Sequence, residues 1–315
     1  MTAVSMATPV AAAQRYWYWR GWRVRYQVTP AASPQGLPPL LLLHGFGASL
    51  EQWHGNVANL ARHRTVYALD LLGFGDSQKA ATIFNADLWS DQVQAFWQAW
   101  IGQPTVLVGH SLGALVALNA AVRHPKMATQ LVLLTLPAAR EELLTGWVES
   151  LSRSAERLFS TPLLIRPLFQ IFRRPGVIGA VLRQIYQRRD RVDAALIQQF
   201  VKPTVDRGAA RTLCYLVRSR TELQFTPETK QLVAQLTTPT LLLWGQADRV
   251  IPLAWGEQIA PLNPLVTFKV IPQAGHFAYE DVPEKFNQTI SAWLQSPTVS
   301  VGEPTSTAAK PKGCV

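Results

Sequence analysis

Short, wholly apolar runs alternate with longer segments whose apolar residues recur at helical spacing, and this alternation organises most of the chain. Leu40-Leu41-Leu42-Leu43, Thr65 to Leu69, Thr105-Val106-Leu107-Val108 and Leu131-Val132-Leu133-Leu134 read as buried strands, and Pro239 to Trp244 and Val266 to Ile271 repeat the pattern later. Between them, Ser49–Leu60, Asp87–Trp100 and the small-residue run from Ala114 to Ala121 read as helices, and Pro283–Leu294 as a final one. Such alternation predicts a mainly parallel sheet covered by helices on both faces. Residues 16–28 differ, because aromatic and polar positions alternate on both sides of Gly21, as in two half-buried strands joined by a turn.

The pattern breaks after Pro137. From Ala138 to Gln235 the chain carries amphipathic helical stretches interrupted by prolines at 162, 167, 175, 203 and 227, with no clear strand run. A helical insertion here would lie over the strand ends, where open α/β sheets bind ligands. The expected organisation is therefore a core of residues 16–137 and 236–295, a helical cap of residues 138–235, a flexible N-terminus (1–15) and a disordered tail (296–315) rich in Pro, Ser and Thr.

Composition and charge add to this picture. With 315 residues, 48% of them hydrophobic, the chain can bury a large core. Cys214 and Cys314 lie far apart, the second in a polar tail, and suggest neither a disulfide framework nor a metal site; with one residue after it, Cys314 does not have the spacing of a four-residue prenylation signal. Residues 1–13 lack the basic start and apolar length of a secretory signal or membrane span, which leads us to expect a cytoplasmic or organelle-soluble protein. The net charge of +10 is uneven: residues 138–235 hold 16 Lys and Arg against 9 Asp and Glu, a net +7. Without a nucleic-acid motif, this basicity fits a solvated helix face or contact with an anionic membrane surface.

Candidate chemistry centres on Gly109-His110-Ser111-Leu112-Gly113, a Gly-x-Ser-x-Gly between a predicted strand and a predicted helix. That placement suggests a nucleophile elbow, in which the serine occupies a strained turn and the glycines prevent collisions with neighbouring elements. The glycines of His44-Gly45-Phe46-Gly47 leave backbone N–H groups exposed after a strand, as an oxyanion hole requires; His44 itself reads as a residue that pins the loop. Asp70 and Asp76 compete for the role of catalytic acid, but both precede the serine, and turn capping explains them more simply. Asp248 and His276 each lie in a loop just beyond a predicted strand and complete the order Ser, Asp, His.

On these pieces the chain resembles the α/β-hydrolase superfamily over residues 16–295. The resemblance implies a mostly parallel eight-stranded sheet flanked by helices, with an inserted cap. It also implies Ser111 as nucleophile, His276 as general base, Asp248 as the acid that orients it, and the backbone N–H groups of Phe46 and Leu112 as oxyanion hole, with no metal or organic cofactor. A departure is Ala114, where many relatives carry a further glycine. Ser111 argues against the relatives with an aspartate nucleophile. The expected partner is a small-molecule substrate, a carboxylic ester of an apolar compound. The aromatic N-terminal strands, the Asp70–Gly75 loop and the basic cap are similar to hydrolases that remove phytol from chlorophyll or pheophytin. Alternatives are a general esterase or lipase, a carbon–carbon bond hydrolase, and a ligand-binding signalling protein of the same fold with slow turnover.

Overall fold

The computed structural model describes residues 14–139, 142, 161–220 and 225–296. The expected flexible N-terminus up to residue 13, and the tail from residue 297 with Cys314, lie outside the described residues.

Eight strands form one sheet in the order β1-β2-β4-β3-β5-β6-β7-β8. They are β1 (Arg15–Trp19), β2 (Trp22–Thr29), β3 (Leu40–Leu43), β4 (Val66–Leu69), β5 (Thr105–His110), β6 (Ala128–Leu134), β7 (Thr240–Gly245) and β8 (Val266–Ile271). From β4 to β8 all neighbours are parallel; β1 and β2 form an antiparallel hairpin whose second strand pairs with β4. Arg20 and Gly21, both at positive φ, make its tight turn, matching the twist of the flanking strands. Trp19 is buried and Trp17 half-buried on the inner face, whereas Tyr16 and Tyr18 point to solvent.

The four leucines of β3 are all buried because the sheet is covered on both faces. Leu41 and Leu43 join the core under α2 (Ala86–Trp100) and α3 (Leu112–Arg123), while Leu40 and Leu42 face a second core with Trp53, Phe286 and Ile290. That second core is closed by α1 (His54–Leu60), preceded by a 3-10 turn at Leu50–Trp53, and by the C-terminal helix Pro283–Gln295.

Between β6 and β7 the described residues form helices α4 (Pro162–Phe172), α5 (Pro175–Ile185), α6 (Ala194–Val201), α7 (Ala209–Ser219) and α8 (Thr229–Ala234). Several prolines expected to interrupt this region instead begin its helices. Pro162 and Pro175 occupy the first turn of α4 and α5, where a missing N–H leaves no hydrogen bond unmade, while Pro167 lies inside α4. The expected insertion extended to residue 235, but α8 packs on α3, with Leu232 and Val233 in the core cluster. Among the described residues no helix is long and apolar enough to cross a membrane.

Candidate active site

The C-terminal ends of β3, β5, β7 and β8 bring the sequence motifs together. β5 runs directly into Ser111, which takes φ 51° and ψ −115° before α3 begins at Leu112. A non-glycine residue in this region is strained, and the surrounding structure must hold it there. The Ser111 N–H donates to Leu134 O at 2.9 Å, and its carbonyl accepts from Ala114 and Leu115. The glycines permit close approach: a Cβ on Gly109 would lie 2.2 Å from Gly113 O, and one on Gly113 only 2.3 Å from Leu43 O.

Asp248 follows β7, its side chain fully buried. One carboxylate oxygen accepts the N–H groups of Val250 (2.7 Å) and Ile251 (3.0 Å), and the other lies 2.9 Å from His276 Nδ1. With Nδ1–H donating to that carboxylate, His276 Nε2 is left as a proton acceptor. The loops carrying the two residues touch, since a Cβ on Gly245 would meet Gly275 O at 2.0 Å. The structure thus pairs Asp248 with His276. No hydrogen bond joins the Ser111 hydroxyl to His276 among the described residues, a bond that often tightens only with substrate bound.

Asp70 and Asp76 have other partners. Asp70 is fully buried and accepts the N–H groups of Leu50 (2.7 Å) and Asp76 (2.8 Å), beside Arg25 at 3.7 Å; burial pushes its carboxyl up to about 6 against that cation. Asp76 pairs with Lys202 at 3.1 Å, linking the loop after β4 to the helical insertion. His44 is fully buried, accepts the Leu71 N–H on Nε2 and donates from Nδ1 to Gly45 O; burial lowers it to about 4, so it stays neutral. All three side chains brace loops.

Sequence reasoning missed His110, the residue just before the serine. It is buried, and its Nε2 donates to the His276 carbonyl at 3.0 Å, while its Nδ1 lies 3.3 Å from the Tyr279 hydroxyl. Burial and the neighbouring His276 hold it well below the ordinary imidazole value, so it acts as a fixed neutral strut between β5 and the His276 loop. A polar side chain closing an otherwise apolar strand was the available signal; its partner 166 residues away had none. Asp281 adds a second brace by accepting the N–H groups of Gly275 (2.8 Å) and Arg188 (2.9 Å), tying the same loop to the insertion.

Among the described residues the N–H groups of Phe46 and Leu112 have no hydrogen-bond partner. Leu112 is the first residue of α3, where unpaired N–H groups and the helix dipole favour negative charge. Phe46 also borders a cavity of about 350 Å³ lined by Phe169, Phe172, Val181, Phe200 and Phe277. Its wall is almost wholly hydrocarbon, with Arg173 as the charged side chain. Ser111 itself is not part of that wall, which includes Phe46 and Gly47 of the loop after β3 and Phe277, the residue next to His276 in the chain.

The short helix after His276, Ala278–Asp281, buries Glu280, which accepts a hydrogen bond from Tyr186. Burial raises the Glu280 carboxyl to about 8 from an ordinary 4.5. Between those values the folded chain holds a proton that the unfolded chain has released, so stability from this group falls as pH rises through that window. Wild type should lose on the order of a few kcal/mol. Glu280→Gln, which keeps an acceptor for Tyr186, should flatten the dependence. Urea unfolding from about pH 7 to about pH 9, above the value near 6 at which buried Asp70 titrates, measures the upper part of that loss; an unchanged slope in the variant would exclude Glu280 as its source.

The family model for the alpha/beta hydrolase fold matches residues 38–283. The chain belongs to this family. Within it the chain is 29% identical to the dihydrolipoyllysine-residue acetyltransferase component of the acetoin cleaving system of Pseudomonas putida, over 83% of this chain and 64% of that protein. It is 26% identical to chloroplastic pheophytinase of Arabidopsis thaliana, over 82% of this chain and 61% of that one. It is 27% identical to 2-hydroxy-6-oxo-6-(2'-aminophenyl)hexa-2,4-dienoic acid hydrolase of Metapseudomonas resinovorans, over 80% and 83% of the two chains. The chain thus spans less than two thirds of the first two relatives, and the hydrolases among the three act on unlike substrates.

Proposed function

We propose that this alpha/beta hydrolase cleaves a carboxylic ester of a long apolar molecule through an acyl-enzyme on Ser111. The observation that carries the reading is the strained Ser111 elbow, whose neighbour His110 bonds the His276 backbone, together with a His276 ring whose Nδ1 is bound to buried Asp248. An isolated hydroxyl is a weak nucleophile at neutral pH. His276 Nε2 takes its proton as the oxygen attacks the ester carbonyl, and Asp248 stabilises the imidazolium. The Phe46 and Leu112 N–H groups receive the developing oxyanion, each worth on the order of 3 kcal/mol of barrier. His276 then returns the proton to the departing alcohol. Water, deprotonated by the same ring, releases the acid and regenerates Ser111.

The hydrocarbon wall next to Phe46 supports a substrate with a long alkyl or isoprenoid chain, and the likeness to pheophytinase supports a phytyl ester. The likeness to the dienoic acid hydrolase supports a second reading, carbon–carbon cleavage, with Arg173 as the cation that would meet a carboxylate. Fluorophosphonate labelling followed by a substrate panel separates them. Labelling should map to Ser111, and phytyl or long-chain esters should turn over faster than short p-nitrophenyl esters. Turnover of a ring-fission dienoate without ester cleavage favours the second reading. Tight ligand binding without labelling or turnover means a ligand-binding protein, and this proposal is then wrong.

A further inference from the structure

Helix α4 is apolar on more sides than the protein covers. Ile165 is buried and Phe169 half-buried, the latter turned into the cavity wall. One helical position earlier, Leu164, Leu168 and Ile171 lie at i, i+4 and i+7, forming a second stripe along the same helix. These three are 40%, 44% and 47% exposed, and Leu163 at the start of the helix is 87% exposed. A stripe of this length left in water on a small domain marks an interaction surface.

The charge around it indicates what covers it. From Thr161 to Arg220 the chain carries twelve Arg and Lys against three Asp, a net +9 within a protein whose total is +10. On α4 itself Arg166 is exposed, and Arg174 is exposed immediately beyond its end. A helix with Leu, Ile and Phe on one side and Arg on the other fits the interface of an anionic bilayer, where acyl chains take the apolar stripe and headgroups take the guanidinium groups. A water-filled cleft or an acidic protein surface would leave Leu163, Leu164, Leu168 and Ile171 unsatisfied.

The stripe also adjoins the cavity. Phe172 and Val181 line it and are themselves 58% and 45% exposed, so the cavity opens where α4 and α5 present their apolar side chains to solvent. We propose that the Leu164, Leu168 and Ile171 face of α4, with Arg166 and Arg174, docks this protein on an anionic lipid bilayer and sets the cavity mouth against it. Docking stands without the assigned chemistry; only the delivery of a bilayer-dissolved ester to Ser111 rests on it.

Co-sedimentation of the full-length protein with vesicles tests this, using phosphatidylcholine alone and phosphatidylcholine mixed with phosphatidylglycerol. The mixed vesicles should bind on the order of tenfold or more tightly, and salt raised to about 0.5 M should abolish the difference. Leu164→Ser/Leu168→Ser/Ile171→Ser should lose binding while keeping the wild-type far-ultraviolet circular dichroism and a cooperative urea transition, which show that it is folded. Arg166→Gln/Arg174→Gln should keep the apolar stripe and lose the preference for anionic lipid. Ser111→Ala should bind like wild type, so failure of the catalytic reading leaves this measurement intact. Equal binding to both vesicle types, no binding, or a self-association that the triple variant abolishes would overturn the proposal, the last identifying the occupant as a second copy of the chain.

Discussion

Ser111→Ala is expected to lower kcat on a long-chain ester by roughly 10⁵-fold while leaving KM within a few-fold of wild type. In the proposed mechanism this hydroxyl supplies the bond that forms in the acyl-enzyme. What remains would come from the Phe46 and Leu112 N–H groups and from binding in the apolar cavity, both intact in the variant. The fold should tolerate the change, because the elbow is held by the backbone contacts of Ser111 with Leu134, Ala114 and Leu115. Stopped-flow acylation with a chromogenic ester gives the comparison directly. Wild type should show a burst of one equivalent and the variant none; retention of more than about a tenth of wild-type kcat would rule out Ser111 as nucleophile.

Asp248→Asn should cost about 10⁴-fold in kcat with little change in KM. Asparagine has nearly the same shape, and its carbonyl oxygen can still accept from Val250 and Ile251, so the loop should keep its path. Its amide NH₂ would then face His276 Nδ1. A donor there forces the proton of neutral His276 onto Nε2, the nitrogen that must accept from Ser111. Asp70→Asn is the matched control. Both Asp70 oxygens are taken by backbone N–H groups of its own neighbourhood, with Arg25 alongside, so this variant should lower stability and leave kcat nearly unchanged. Kinetics and urea unfolding on both variants decide the matter: loss of kcat confined to Asp70→Asn would transfer the acid's role to that residue.

Much of the fold was legible from the chain because it rests on local rules. Buried parallel strands are short and apolar, as in β3 and β7, and the helices between them repeat every three or four residues. The elbow was legible for the same reason, since its strand, serine, glycines and helix are contiguous. The prolines of the insertion were less informative, because a proline that ends one helix and one that begins the next look alike until the preceding turn is known. The placement of α8 on α3 was also hidden: its short apolar face fits either the insertion or the core.

By itself, then, the sequence determined the alternating architecture, the elbow, and the order in which Ser111, Asp248 and His276 occur. Tertiary structure decided which carboxylate meets His276, that His110 and Asp281 brace its loop, that Glu280 is buried as an acid, and that one stripe of α4 is left uncovered. The division has a physical cause. Strand and helix patterns are written in residues a few positions apart, whereas His276 meets Asp248 and His110 across 28 and 166 positions. They exist only once the sheet has set β5, β7 and β8 side by side.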